Sequence, residues 1–412
     1  MRRVAITGLG AITPLGNSVQ AFQQNLLAGV CGIGPITHFD ASDFKAKLAA
    51  EVKDFDPAAF DMPPKKARHL DLFAQYALAA AKQAVEESGV CGAVAPERLG
   101  VYVGSGIGGM NTFLNQATQL RDRGPERVSP FFITMLIGNI AAGQIAIEYG
   151  ALGPSLPTVT ACATSANAIG EAYRAIAHGY ADAIIAGGAE ATIEPLSVAG
   201  FINCQALSLS EDPLSASIPF DLRRNGFVMG EGAGILVLEE LESAQKRGAK
   251  IYGEVCGYGN TLDGYHITAP RPDGSGAARA ISAAAKQAGL KPGERLYINA
   301  HGTSTQLNDA SETLAIKLAL GEERAFSAKI SSTKSMTGHM LGAAGAVEAI
   351  ASLLALETGF TPPTIGYREP DPDCDLDYTP NAAAAFRPEI ALSTSLGFGG
   401  HNACLAFRRM GG

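Results

Sequence analysis

Two rhythms of apolar residues alternate along the chain. Short β-prone runs at Val4–Thr7, Val101–Val103, Ser155–Thr160, Ala183–Ala186 and Ala233–Leu238 predict strands, with Ala-rich helices expected at Leu70–Ser88 and Ala163–His178. The theme then repeats. Strands are predicted over Ile251–Gly259, Tyr297–Ala300 and Glu389–Thr394, and helices over Gly276–Ala288, Ala310–Leu320 and Leu341–Leu356. Alternation of this kind predicts layered α/β structure. Runs such as Ala183-Ile-Ile-Ala186 lack polar alternation, as expected of strands covered on both faces.

Two of the helices carry small residues almost all round: the one after Cys162 (Ala163, Ala166, Ala168, Ile169, Gly170) and the one after His339 (Leu341, Gly342, Ala343, Ala344, Gly345). A helix without a polar face is usually buried, so this pair is expected to form a central layer between sheets. The charged stretch Glu239–Lys250 reads as the junction of two similar halves, 1–250 and 251–412, although no sequence repeat stands out.

Composition narrows the class. The chain has 412 residues, 47% hydrophobic and only 17% charged, which implies much buried surface and a large subunit interface. A net charge of −8 leaves no overall electrostatic footprint for nucleic acid. The seven cysteines are never closer than thirty positions, which excludes a CxxC pair and argues for a reducing cytosol. Leu341–Leu356 is the richest apolar stretch, but Glu348 near its centre argues against a membrane span, and a cytoplasmic protein is expected.

The chemistry concentrates around Cys162, in Leu156-Pro-Thr-Val-Thr-Ala-Cys-Ala-Thr-Ser165. A β-prone run leading into a cysteine and then a helix places a thiol beside the helix's free N–H groups, where its pKa is expected to fall. Two blocks downstream supply histidines: Asn299-Ala-His-Gly-Thr-Ser-Thr305 and Lys334-Ser-Met-Thr-Gly-His339. Neutral imidazoles there would donate to a thioester oxygen as it becomes an enolate. Neither HxH nor HExxH occurs and Cys162 is remote in sequence, so no metal is expected. Among its apolar neighbours Lys334 needs a buried carboxylate, and Glu348 is the candidate. Ser393–Asn402 is a Gly-rich turn that can complete an oxyanion hole, with Phe398 as a movable plug.

Gly104-Ser-Gly-Ile-Gly-Gly109 fits GxGxxG, and Gly8-Leu-Gly10 is a second glycine pattern. Neither has the complete βαβ context or a suitably spaced acidic residue, so a dinucleotide site is not expected.

Taken together, these blocks resemble the β-ketoacyl-acyl-carrier-protein synthases, most nearly the elongating, type II, Cys-His-His kind. The resemblance also covers Ser129-Pro-Phe-Phe, Ala186-Gly-Gly-Ala-Glu190, Pro219-Phe-Asp221 and Gly226–Leu238. It implies a thiolase-like α/β fold of two related halves in five α-β-α-β-α layers, acting as a homodimer with acyl carrier protein as partner. It implies no cofactor of the enzyme's own, since phosphopantetheine arrives on the carrier, and a decarboxylative Claisen condensation. Cys162 would take the acyl chain, His301 and His339 would stabilise the enolate, and Lys334 would give electrostatic support. The N–H groups of Cys162 and Phe398 would form the oxyanion hole. Ile107, Phe201, Thr268, Thr303, Thr305 and Phe398 would contact substrate, and Lys65, Lys66, Arg68 and Arg127 would dock the carrier protein.

Departures from that pattern are local. His401 replaces a threonine, Gln306-Leu-Asn308 replaces Pro-x-Gly, and Gln205 stands where many relatives carry a docking arginine. Thr394 replaces an asparagine that helps hold a structural cation in some relatives. Competing readings are a thiolase, a polyketide ketosynthase subunit and a non-catalytic chain-length partner. The first needs a second cysteine in the C-terminal glycine turn, and the last lacks the nucleophile that this chain keeps.

Overall fold

The computed structural model describes residues 1–410. Nine strands form its main sheet: β1 Val4–Ile12, β2 Leu99–Gly104, β3 Ala183–Glu190, β4 Gly232–Glu240, β5 Gly253–Leu262, β6 Leu296–Asn299, β7 Lys329–Ser331, β8 Ile390–Gly397 and β9 His401–Arg408. Their spatial order is β2-β3-β4-β1-β5-β9-β8-β6-β7. The seam is narrow: β1 meets β5 only through Val4–Ile6 and Gly253–Val255. Two half-sheets are therefore joined at one corner.

Side-chain alternation shows how each half-sheet is sandwiched. On β3 and β4, Ile185, Ile235 and Val237 face an outer helix, α1 Leu72–Ser88, while Ile184, Ala186, Leu236 and Leu238 face a central core. On β8 and β9, Leu392 and Ala406 face α3 Ser275–Gln287 and α4 Gln306–Leu320, while Ala391, Leu405 and Phe407 face that same central core. Between the half-sheets lie α2 Thr164–Ala177 and α5 Ala344–Thr358, the two small-residue helices. Five layers result, in the order α-β-α-β-α.

The halves share a packing device. A Cβ added at Gly8 or Gly10 of β1 would lie 2.0 or 1.9 Å from the carbonyl oxygens of Ala84 and Ala80 of α1. At Gly257 and Gly259 of β5 the corresponding distances are 2.2 and 1.9 Å, to Ala284 and Ala280 of α3. Only glycine allows the strand to approach its helix this closely, so Gly8-Leu-Gly10 is a packing feature.

One predicted strand is absent. Ser155–Thr160 runs beside β2 as an extended segment with a single bridge, Ser155 to Val101. Pro157 removes a ladder donor, and Leu156 and Val159 face outward at 43% and 63% exposure. The stretch Leu341–Thr358 is apolar enough to span a membrane but is packed inside the protein, 89% buried.

Candidate active site

Cys162 sits in a 3-10 turn, Ala161–Ala163, that leads directly into α2. Ala161 has φ +50°, a left-handed conformation that costs a non-glycine residue about 1–2 kcal/mol. Strain of this size at a turn is tolerated where surrounding packing over-determines it. Across the central layer, Leu341 (φ +46°) opens the matching turn Leu341–Ala343, which leads into α5 and follows His339.

Facing ligand atoms of Cys162, His301 and His339 all lie within 4.8 Å of one another, so residues up to 177 positions apart in sequence share one site. The imidazoles meet edge to face, with centroids 5.3 Å apart and planes at 86°. Both are buried, and burial together with the Lys334 charge lowers both pKa values well below the ordinary imidazole value. Each ring is therefore neutral near pH 7. The Leu341 N–H donates to His339 Nδ1 over 3.3 Å, which places the ring proton on Nε2. That Nε2 and His301 Nδ1 are buried with no hydrogen-bond partner among the described residues.

The thiol departs from expectation. Burial pushes Cys162 up to about 11, and Lys334 and the Phe398 N–H pull it down only in part. Desolvation outweighs both, so Cys162 rests as a thiol. The argument from spacing against a metal also needs correcting, since the fold does gather S, N and N donors.

Behind the imidazoles a buried charge network fixes the site. Lys334 donates to the His301 carbonyl over 2.6 Å and pairs with Glu348. Burial pushes Glu348 up to about 7 despite Lys334. Glu312 of α4 accepts the N–H groups of His301 and Gly302, each at 2.8 Å, and the Thr394 hydroxyl at 2.6 Å. Sequence reasoning missed Glu312. Its signal was a carboxylate on the inward face of a helix, one turn from the equally buried Asp309.

A cavity of about 670 Å³ opens from the thiol. Ile107, Phe201, Thr268, Thr303, Thr305 and Phe398 all line it. Thr303 and Thr305 hydroxyls are 2.9 Å apart, and the Phe201 and Phe398 rings lie 6.4 Å from each other. Gln205 is at the same cavity, in a left-handed conformation (φ +57°). Lys65, Lys66, Arg68 and Arg127 lie outside the cavity lining. The short helix Pro64–Ala67 and the Pro125–Arg127 turn are brought together by His69 stacked on Phe131 at 4.1 Å. Lys65, Arg68 and Arg127 are exposed, and Lys66 is engaged by Glu148 at 2.5 Å.

The glycine loop after β2 is also occupied by protein. The N–H groups of Gly106 and Ile107 donate to the buried carboxylate of Glu190, at 2.9 and 3.3 Å. No amide of that pair is left for a phosphate.

Residues 1–244 match the family "Beta-ketoacyl synthase, N-terminal domain", and residues 252–368 match "Beta-ketoacyl synthase, C-terminal domain". This chain is a member of the β-ketoacyl synthase family. It is 55% identical to "3-oxoacyl-[acyl-carrier-protein] synthase 2" of Synechocystis sp. over 410 residues, covering 99% of this chain and 98% of that one. It is 51% identical to the Staphylococcus aureus protein of the same name over 409 residues, with 99% and 98% covered. Among solved structures, a β-ketoacyl synthase from Burkholderia phymatum superposes with a TM-score of 0.92 at 36% identity, covering both chains fully. A type II polyketide ketosynthase, solved with its acyl-carrier protein, gives 0.91 at 36% identity and the same full coverage. The five-layered thiolase-like architecture is thus common to these ketosynthases.

Proposed function

We propose that the chain condenses malonyl-acyl carrier protein with a cysteine-bound acyl chain, giving a 3-oxoacyl thioester and carbon dioxide in fatty-acid elongation. One observation carries this reading: a thiol and two neutral imidazoles share one buried site at an apolar cavity. The name of the relatives at 51–55% identity supports it. Cys162 sulfur attacks the acyl thioester, and its proton leaves with the carrier's thiol. The N–H groups of Cys162 and Phe398 hold the oxyanion. As malonyl carbon dioxide departs, the enolate oxygen accepts hydrogen bonds from His301 and His339. Its α-carbon then attacks the acyl-cysteine carbonyl and the sulfur is expelled. Burial, with Lys334 behind the histidines, keeps both neutral.

Thr268, Thr303 and Thr305 suit the polar arm of the carrier's phosphopantetheine, which is the only non-protein group this scheme uses. Ile107, Phe201 and Phe398 border the acyl chain. Lys65, Lys66, Arg68 and Arg127 form a basic face for an acidic carrier protein. Exposed apolar side chains support a homodimer: Ile133, Ile147, Leu152 and Val159 are 57–76% exposed, Val159 on the outer edge of the Ser155–Thr160 segment. Seven free cysteines suit a reducing cytoplasm.

The test is turnover with malonyl carrier protein and carriers bearing a ladder of saturated acyl lengths. A single 3-oxoacyl product, two carbons longer, from each saturated chain on the ladder supports the proposal. Turnover only with poly-β-keto chains would move the chain to polyketide synthesis, and no turnover with any acyl carrier would overturn the reading.

A further inference from the structure

Glu190, at the end of β3, is buried with no salt-bridge partner among the described residues, yet four donors converge on its carboxylate. The Ser105 hydroxyl (2.8 Å) and the Ile107 N–H (3.3 Å) reach Oε1, while the N–H groups of Gly106 (2.9 Å) and Gly342 (3.0 Å) reach Oε2. Ser105 extends the grip, because its oxygen also accepts the Gly108 N–H at 2.9 Å. The loop 105–108, which presents Ile107 to the cavity, is therefore pinned along its length by one side chain.

The other end of the clamp reaches the histidine turn. Leu341 is held in its left-handed conformation between two bonds: its own N–H on His339 Nδ1, and the next N–H, that of Gly342, on Glu190. A Cβ at Gly342 would lie 2.4 Å from Gly106 N and 2.7 Å from Glu190 Oε2, so the two segments touch through a space that holds nothing more. Releasing Gly342 lets Leu341 relax toward ordinary φ and withdraw its N–H from His339.

We propose that Glu190 is a positioning residue that couples acyl-chain selection to decarboxylation, by fixing the Ile107 loop and the His339 turn against each other. The inference rests on the condensing activity proposed above, which wild-type turnover checks first and independently.

Two variants separate the two arms. E190Q keeps the shape but retains a single acceptor oxygen and turns an amide NH2 toward backbone N–H donors at the other position, breaking the clamp between the two segments. S105A weakens only the loop arm, removing the hydroxyl's bonds to Glu190 and Gly108 and leaving the Gly342 contact intact. Condensation kcat and KM across the acyl ladder, and malonyl decarboxylation measured without acyl donor, are the readouts. E190Q should lower decarboxylation kcat at least tenfold and shift the preferred chain length. S105A should change KM across the ladder several-fold more than it changes decarboxylation. A purely structural role would instead depress all rates in parallel while thermal stability falls. Parallel losses in both variants, or an unchanged ladder with S105A, would overturn the proposal. Should E190Q fail to fold, the S105A ladder still decides.

Discussion

Two turns in this molecule have nearly the same shape and opposite duties. Ala161-Cys-Ala163 and Leu341-Gly-Ala343 are both 3-10 turns opened by a left-handed, non-glycine residue, at φ +50° and +46°. Each leads into a buried helix of the central layer, and the helices cross-brace: the Ala346 N–H donates to Ser165 Oγ at 2.9 Å. The position that carries sulfur in the first turn carries only hydrogen in the second. Where Cys162 points into the cavity, Gly342 presses against Gly106 and Glu190. One scaffold thus holds the proposed nucleophile in one half and, in the other, seats the histidine that precedes the turn. Specialisation required changing what fills the turn, with the backbone left alone.

The comparison is broken most severely at the sulfur. Cys162→Gln should reduce condensation by at least about 10⁴-fold, since covalent catalysis is lost, while malonyl decarboxylation persists through His301 and His339. Loss of both activities would show that the second turn cannot work without the first. Lys334→Ala removes the partner of Glu348 and the donor to the His301 carbonyl, leaves the carboxyl protonated in the core, and should cost about 1–3 kcal/mol in urea unfolding, the range for unmade buried hydrogen bonds. A cost below 1 kcal/mol would mean that the pair is not desolvated as described.

Smaller perturbations sharpen the contrast. Gly342→Ala should destabilise by about 1–3 kcal/mol through overpacking, whereas Cys162→Ala, at a cavity wall, should cost less. Equal costs would erase the distinction between the packed turn and the open one. Finally, both histidine pKa values lie below the ordinary value of about 6.5, so the neutral donors persist as pH falls through it. Decarboxylation by Cys162→Gln should be flat from pH 8 to about 6.5, and an inflection there would contradict the burial argument. The linked stability effect has a definite sign. Below about 6.5 the unfolded chain binds protons at these two residues that the native one does not, so they subtract stability as pH falls.

Much of this was legible in sequence because it depends on local pattern. The all-small faces of α2 and α5 announced burial, and Cys162, His301, Lys334 and His339 carried their chemistry in short blocks. The Glu348 partner of Lys334 followed from the cost of an unpaired buried charge. What stayed hidden was set by contacts remote in sequence. Glu190 and Glu312 ended or lined ordinary elements, and their value comes from the N–H groups that the fold brings to them. The thiol's pKa was misjudged because a local turn was weighed without the desolvation imposed by the whole fold. The kinship of the halves was present as Gly8-Leu-Gly10 and Gly257-Tyr-Gly259, but a two-glycine repeat acquires meaning only once each glycine lies under a helix carbonyl.

The shared central layer carries a consequence for how the polypeptide acquires its structure. Because α2 and α5 each cover apolar surface from both half-sheets, neither half can shield its own interior if severed from the other. Separately expressed fragments divided between residues 244 and 252 should be insoluble or partly unfolded on their own and regain order only on mixing, so that the chain melts as one cooperative body.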